Sequence, residues 1–172
     1  MLTLSLLRHA KSSWADPGLD DYARPLAKRG ANTAPEIGKY LKRQKLRPDL
    51  ILCSGAVRAR ATLELVLAEL GSPAPEVRYD DALYRTSPAI MLGVLRKIDA
   101  SYRHVMMVGH NPELHALSLE LIGDGRRKDI AALKTKFPTA ALAVLVFDAA
   151  GWSKIRAASG RLERFVTPLR LS

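Results

Sequence analysis

Three apolar runs in this chain each end on residues able to do chemistry. "LTLSLL" (2–7) leads into Arg8-His9, "DLILCS" (49–54) into "GAVRAR" with Arg58 and Arg60, and "HVMMVG" (104–109) into His110-Asn111. An imidazole nitrogen can attack phosphorus and hold the group as a phosphoramidate. Phosphoryl transfer asks little more of a protein than positioning and charge at the equatorial oxygens. Arginine supplies both, because its planar fork donates paired hydrogen bonds to phosphate. Arg8, Arg58 and His110 therefore read as a cationic cradle around a phosphorus attacked by His9. Arg60 competes with Arg58 for the same role, since two residues apart on a helix point about 200° apart and only one can face a pocket. Lys11 and Ser12 directly follow the nucleophile and Asn111 follows His110, so all three are candidate substrate contacts, although loop solvation accounts for Lys11 and Ser12 equally well. A helix starting after Ser54 or after Asn111 would add backbone N–H donors at its positive end.

The elements needed to hold these residues are visible in the periodicity. Besides the three runs, "LAVLVFD" (142–148) reads as a strand and "RLERFVTP" as a weaker one. Their apolar character is continuous rather than alternating, as for strands covered on both faces. Between them, 26–41 carries Leu26, Ala27, Ala31, Ala34, Ile37 and Leu41 mostly at three- and four-residue steps, with a kink or restart expected at Pro35. Residues 57–70 keep the same spacing and close at Gly71, and 88–98 and 112–122 each begin on a proline. Alternating strands and helices predict a three-layer α/β/α sandwich with a mostly parallel central sheet, as a single domain over 1–172. In such sheets ligands bind beyond the carboxyl ends of the strands. The two histidines and two arginines are thus expected on one edge.

Composition sets the outer bounds. The 172 residues carry 27 Lys and Arg against 17 acids, a formal charge of +10 that favours anionic partners. The basic clusters "KYLKRQKLR" (39–47) and "GRRKD" (125–129) read as solvated faces, and aromatics, at 6%, leave them no stacking platform for nucleic acid. The single cysteine, Cys53, sits in an apolar segment as a small buried hydrophobe and points to a reducing compartment. The apolar run at the N-terminus reaches Arg8 too soon for a signal peptide, and no segment approaches the ~20 apolar residues of a membrane span. A cytoplasmic protein with no membrane partner is expected. His104, opening a strand, and His115, inside a helix, read as structural or surface residues without metal-ligand spacing. Trp14 and Trp152 read as packing residues.

"LLRHAKSSW", "RPLAKRG", "SGAVRARAT" and "VGHNPELHAL", in this order, resemble the histidine phosphatase superfamily, the group that includes phosphoglycerate mutases. The short length and the spellings are most similar to the SixA-type phosphohistidine phosphatases, and the resemblance runs from Leu6 through "GRLERFVTP". It implies a phosphoglycerate mutase-like fold and a phosphatase that needs no metal or other cofactor. It also implies that His9 is the phosphorylated nucleophile and Arg8 its phosphate-binding neighbour. Arg58 rather than Arg60 becomes the second pocket arginine, His110 the second pocket histidine, and Arg24 a residue close to the pocket.

Two departures matter. Ala10 stands where the superfamily has glycine, and it is small enough to keep a tight approach. The stretch between Arg58 and His110 is too short for a sizeable lid bearing an acid, which leaves Asp80-Asp81, and Asp81 in particular, as the proton donor. A phosphohistidine protonated on its other nitrogen leaves as neutral imidazole and needs less acid help than an alkoxide. The implied substrate is therefore a phosphohistidine protein. A small phosphorylated molecule is the alternative, and a non-catalytic basic module binding phosphorylated partners or nucleic acid is the competing reading from another class. Mutase chemistry is disfavoured because a short chain does little to keep water from the intermediate.

Overall fold

The computed structural model describes residues 1–171. In chain order the elements are β1 (Leu2–Arg8), α1 (Lys28–Arg43), β2 (Leu50–Cys53), α2 (Val57–Leu70), β3 (Glu76–Tyr79), α3 (Pro88–Arg96) and β4 (His104–Gly109). They continue with α4 (Glu113–Leu121), β5 (Ile122–Gly125), α5 (Arg127–Thr135), β6 (Leu142–Phe147), β7 (Gly160–Val166) and α6 (Pro168–Leu171). One seven-stranded sheet runs β3-β2-β4-β1-β6-β7-β5. Its pairings are parallel except that β6 runs against both its neighbours, β1 and β7.

The continuous apolar runs do what their pattern predicts, since each strand buries residues on both faces. Leu2, Leu4 and Leu6 of β1 pack with Met107 of β4 and with Met91, Leu95, Leu114, Leu117 and Leu133 from α3, α4 and α5. Leu7, with Ile51, Met106 and Val108, packs on the opposite face under Ala34, Ile37 and Leu41 of α1 and Leu63 and Val66 of α2. The arrangement is a three-layer α/β/α sandwich with a mostly parallel sheet.

Local signals act as their chemistry predicts, with some exceptions. Ser87 caps α3 by accepting from the Ile90 N–H at 3.2 Å, with Pro88 in the first turn. Against expectation, α1 runs from Lys28 to Arg43 through Pro35 without a restart. Its packed face, Gly30, Ala34, Ile37, Gly38 and Leu41, is long enough to hold the helix across the one missing hydrogen bond. β3, β5 and α5 carry no clear sequence pattern. β3 is a largely exposed edge strand, β5 is "IGDG", and α5 lies in the charged stretch that begins at Arg126. The helix expected over 112–122 is shorter, with Ile122 already in β5. Among the described residues no helix is long and apolar enough to cross a membrane.

Candidate active site

Register brings the strand ends together. β4 lies between β2 and β1, and Arg8 pairs with Gly109 across the β1–β4 ladder. Just beyond, the His9 N–H donates to the Gly109 carbonyl at 3.0 Å and the Ser54 N–H to the Val108 carbonyl at 3.0 Å. The residues following β1, β2 and β4 therefore share one edge. The antiparallel β6 adds its lead-in there, with the Arg8 N–H donating to the Ala141 carbonyl at 3.1 Å. A cavity of about 390 Å³ opens at this edge, lined by Arg8, His9, Lys11, Ser12, Trp14, Asp21, Arg24, Arg58, Tyr84, Arg85, His110, Asn111, Glu113 and Thr139.

His9 is buried, and its Nδ1 lies 2.7 Å from the Ala10 carbonyl. A carbonyl can only accept, so Nδ1 carries the proton and Nε2 keeps a lone pair with no partner among the described residues. Burial, offset in part by the Ala10 bond and joined by the charges of His110, Arg58 and Arg8, lowers the His9 pKa to about 3. The ring is therefore neutral at neutral pH, as a nucleophile must be. Ala10 is fully buried and its N–H donates to Thr62 Oγ1 at 2.9 Å, while the Thr62 hydroxyl donates to the Arg58 carbonyl at 2.7 Å. The loop that carries His9 and the start of α2 are thus tied to each other.

The cations are aimed by the groups behind them. Arg8 Nη1 and Asn111 Nδ2 both donate to the Phe137 carbonyl, at 3.0 and 2.8 Å. Burial and then Arg58 lower the Arg8 pKa. His110 Nε2 pairs with Ser54 Oγ at 2.8 Å, and its ring centroid lies 5.1 Å from that of His9. Burial first, then Arg58, lower the His110 pKa to about 4, with Asp21 opposing. Among the described residues, four buried side-chain polar atoms lack a partner: Arg8 Nε, Arg58 Nε, His110 Nδ1 and Asn111 Oδ1. All four belong to this cavity, and both arginine nitrogens are obligatory donors. Orphaned buried donors carry a desolvation cost and are uncommon. Unpaired donors of this kind around one cavity suit it to an anion.

Asp21 organises the arginines and is legible only in retrospect. Its Oδ2 accepts from Arg58 Nη2 at 3.0 Å and from the Tyr84 hydroxyl at 2.7 Å, its Oδ1 from Arg24 Nε at 3.1 Å, and its backbone carbonyl from Arg58 Nη1 at 2.7 Å. The Tyr84 hydrogen bond, with the Arg58 and Arg24 contacts, lowers its pKa to about 2. The one sequence signal was an acid three residues before Arg24, spacing that lets the two pair within a single turn. Arg24 Nη1 also donates to Ser12 Oγ at 2.9 Å, so Ser12 supports an arginine.

Placement corrects two readings. Trp14 does not pack in the core: it is 68% exposed, and the Arg24 guanidinium stacks 3.5 Å over its ring at the cavity wall. Asp81 is not in the cavity either: its Oδ1 accepts from the Tyr22 hydroxyl at 2.8 Å. The lining carboxylates are Asp21 and Glu113, and Glu113 has no hydrogen bond or ion pair among the described residues. Arg60 turns away from the cavity, over the Tyr79 ring at 4.7 Å. His104 and His115 pair elsewhere, with Ser5 Oγ at 2.8 Å and the Leu133 carbonyl at 2.6 Å. Trp152 is buried, and burial pushes the Cys53 thiol up to about 12, which leaves it inert. Of the residues at the start of α2, Arg58 alone lines the cavity.

Comparison with known proteins agrees with this geometry. The model of the histidine phosphatase superfamily (branch 1) matches residues 4–84. An uncharacterised protein of Mycobacterium leprae is 36% identical over 167 residues, covering 94% of this chain and 99% of its own length. A solved structure from Agrobacterium tumefaciens, assigned as phosphohistidine phosphatase SixA, is 33% identical with a TM-score of 0.81 over 97% of this chain and 98% of that one. One from Nakamurella multipartitia with the same assignment is 27% identical, also with a TM-score of 0.81, over 98% and 96% of the two chains. The chain belongs to the histidine phosphatase superfamily, as a phosphatase of the SixA type with the phosphoglycerate mutase-like fold.

Proposed function

We propose that the chain is a phosphohistidine phosphatase working through a phosphohistidine intermediate on His9, as a single domain over 1–172 of which Ser172 lies outside the described residues. The observation that carries the reading is the neutral His9 ring with its Nε2 unpartnered, set beside two arginines whose buried Nε donors have no partner among the described residues. Nε2 attacks phosphorus, the P–N bond of the substrate breaks as the new one forms, and the substrate imidazole departs with a proton on its far nitrogen. Arg8 and Arg58 balance the charge on the equatorial oxygens, the part a metal ion plays in other phosphoryl-transfer enzymes, and the neutral His110 ring adds a hydrogen-bond donor. Water then attacks the phosphorus and returns Nε2 with its lone pair. Asp21, held ionised by its three donors, serves as an anchor and carries no proton. The substrate class also rests on the SixA assignments of the related structures.

Substrate-derived radioactive phosphate is expected on the protein in a bond labile to acid and stable to alkali, and His9→Ala is expected to lose it. Label that survives acid would overturn the mechanism. A second reading, a small-molecule phosphomonoesterase, is favoured by Glu113, a lining carboxyl with no hydrogen bond or ion pair among the described residues. A substrate panel separates the two: phosphohistidine is expected to show the higher kcat/KM, and faster turnover of alkyl phosphates would reverse the assignment.

A further inference from the structure

The catalytic cavity shares Lys11 and Thr139 as a common wall with a second groove of about 280 Å³. The groove lies between the start of α1, the segment leading into β6 and the chain just after β7. Its character differs from that of the cavity. Lys11, Arg29 and Lys136 are exposed there, and among the described residues no carboxylate lines it. None of the three side chains forms an ion pair or hydrogen bond among the described residues. Pro138 and Pro168 make part of its surface apolar. Arg29 also stands in the first turn of α1, which holds no acid, so a cation occupies the positive end of the helix dipole. That placement costs stability within the chain, and such local violations are commonest where a surface serves a ligand.

We propose that this groove binds the polypeptide flanking the phosphorylated residue of a protein substrate, and that it selects an acidic segment there. The proposal rests on the phosphohistidine reading above and adds which phosphohistidine proteins are chosen. Charge complementarity sets the acidity: three unpaired cations face a ligand already anchored next door by its phosphoryl group. The apolar prolines favour a peptide over a second phosphate, because a fully polar ligand would leave that surface unused. A small metabolite would fill the cavity and leave the groove empty.

The test compares phosphohistidine peptides that differ only in their flanks, Asp- and Glu-rich against Lys-rich, alongside free phosphohistidine. In Arg29→Glu/Lys136→Glu, kcat/KM for the acidic peptide is expected to fall about tenfold or more, as the loss of two exposed ion pairs implies. The loss should appear in KM, the Lys-rich peptide should gain, and free phosphohistidine should turn over as in the wild type. An equal change from wild type for both peptides, or an equal loss on free phosphohistidine, would overturn the groove. If the wild type hydrolyses no phosphohistidine at all, the function reading fails instead. The groove is then judged by fluorescence anisotropy of the labelled, unphosphorylated acidic peptide. Binding weakened about tenfold by the double substitution would uphold it, and unchanged binding would reject it. Tighter binding of a single-stranded oligonucleotide than of the acidic peptide would also count against it.

Discussion

Replacing Asp21 by asparagine keeps the side-chain size but turns one acceptor oxygen into an NH2 facing donors. Arg58 and Tyr84 share one carboxylate oxygen and Arg24 takes the other, so either amide orientation sets donor against donor. Asp21→Asn is expected to lower kcat/KM on phosphohistidine about 100-fold, as a misplaced positioning group does, with all catalytic side chains still present. Asp81→Asn, which touches only the exposed Tyr22 hydroxyl, is expected to stay within about twofold. Equal losses in the two variants would restore Asp81 to the reaction. The contrast explains what the sequence could reveal at this scale. His9, Arg8, Arg58 and His110 follow apolar runs, so their elements announce them. Asp21 and Tyr84 lie in segments without periodicity, and the bonds that define them, Arg58 to Asp21 and Tyr84 to Asp21, span 37 and 63 residues.

Between the loop that follows His9 and the helix that backs it, the decisive residue is a glycine. A Cβ on Gly30 would stand 2.2 Å from the Lys11 carbonyl oxygen and 2.9 Å from its nitrogen, whereas one on Gly93 in α3 meets nothing within 4 Å. Both positions are helical, so alanine should help each by propensity alone. Gly93→Ala is expected to gain about 0.5–1 kcal/mol. Gly30→Ala is expected to lose about 1–3 kcal/mol because backbone cannot yield as a flexible side chain can. Urea midpoints of the two variants check the pair, and a stabilised Gly30→Ala would show that α1 does not abut the loop so closely. Elements with a full buried face were readable: β4 spans 104–109 as its apolar run does. β3 and β5 were not, because edge strands bury too little to impose a pattern, and "IGDG" holds two glycines where a strand would favour branched residues.

Across the whole molecule, three histidines make stability depend on pH. Burial lowers His9 to about 3 and His104 and His110 to about 4, below the unfolded value near 6.5. Between those limits the unfolded chain binds protons that the native one does not, so stability is full above pH 6.5 and falls as the pH drops towards 4. At pH 5 each histidine should contribute a loss of about 1–2 kcal/mol. The urea midpoint should therefore fall between pH 7.5 and 5, and less steeply in His104→Gln, which leaves the cavity untouched. A midpoint that does not move would mean that these rings titrate normally. The layered fold was legible because the core is built from long apolar runs, whereas the antiparallel sense of β6 was not, since an apolar run reads the same in either direction. That reversal has its own consequence. The three strands that lead to Arg8, Arg58 and His110 arrive at the cavity with their carboxyl ends, but β6 arrives with its amino end. Its lead-in carries the Phe137 carbonyl that takes both Arg8 and Asn111, with Lys136 and Pro138 of the groove on either side. Arginine aim and the wall of the proposed groove thus hang on one short segment outside the His9 loop, where substitutions can alter the groove while His9 stays in place.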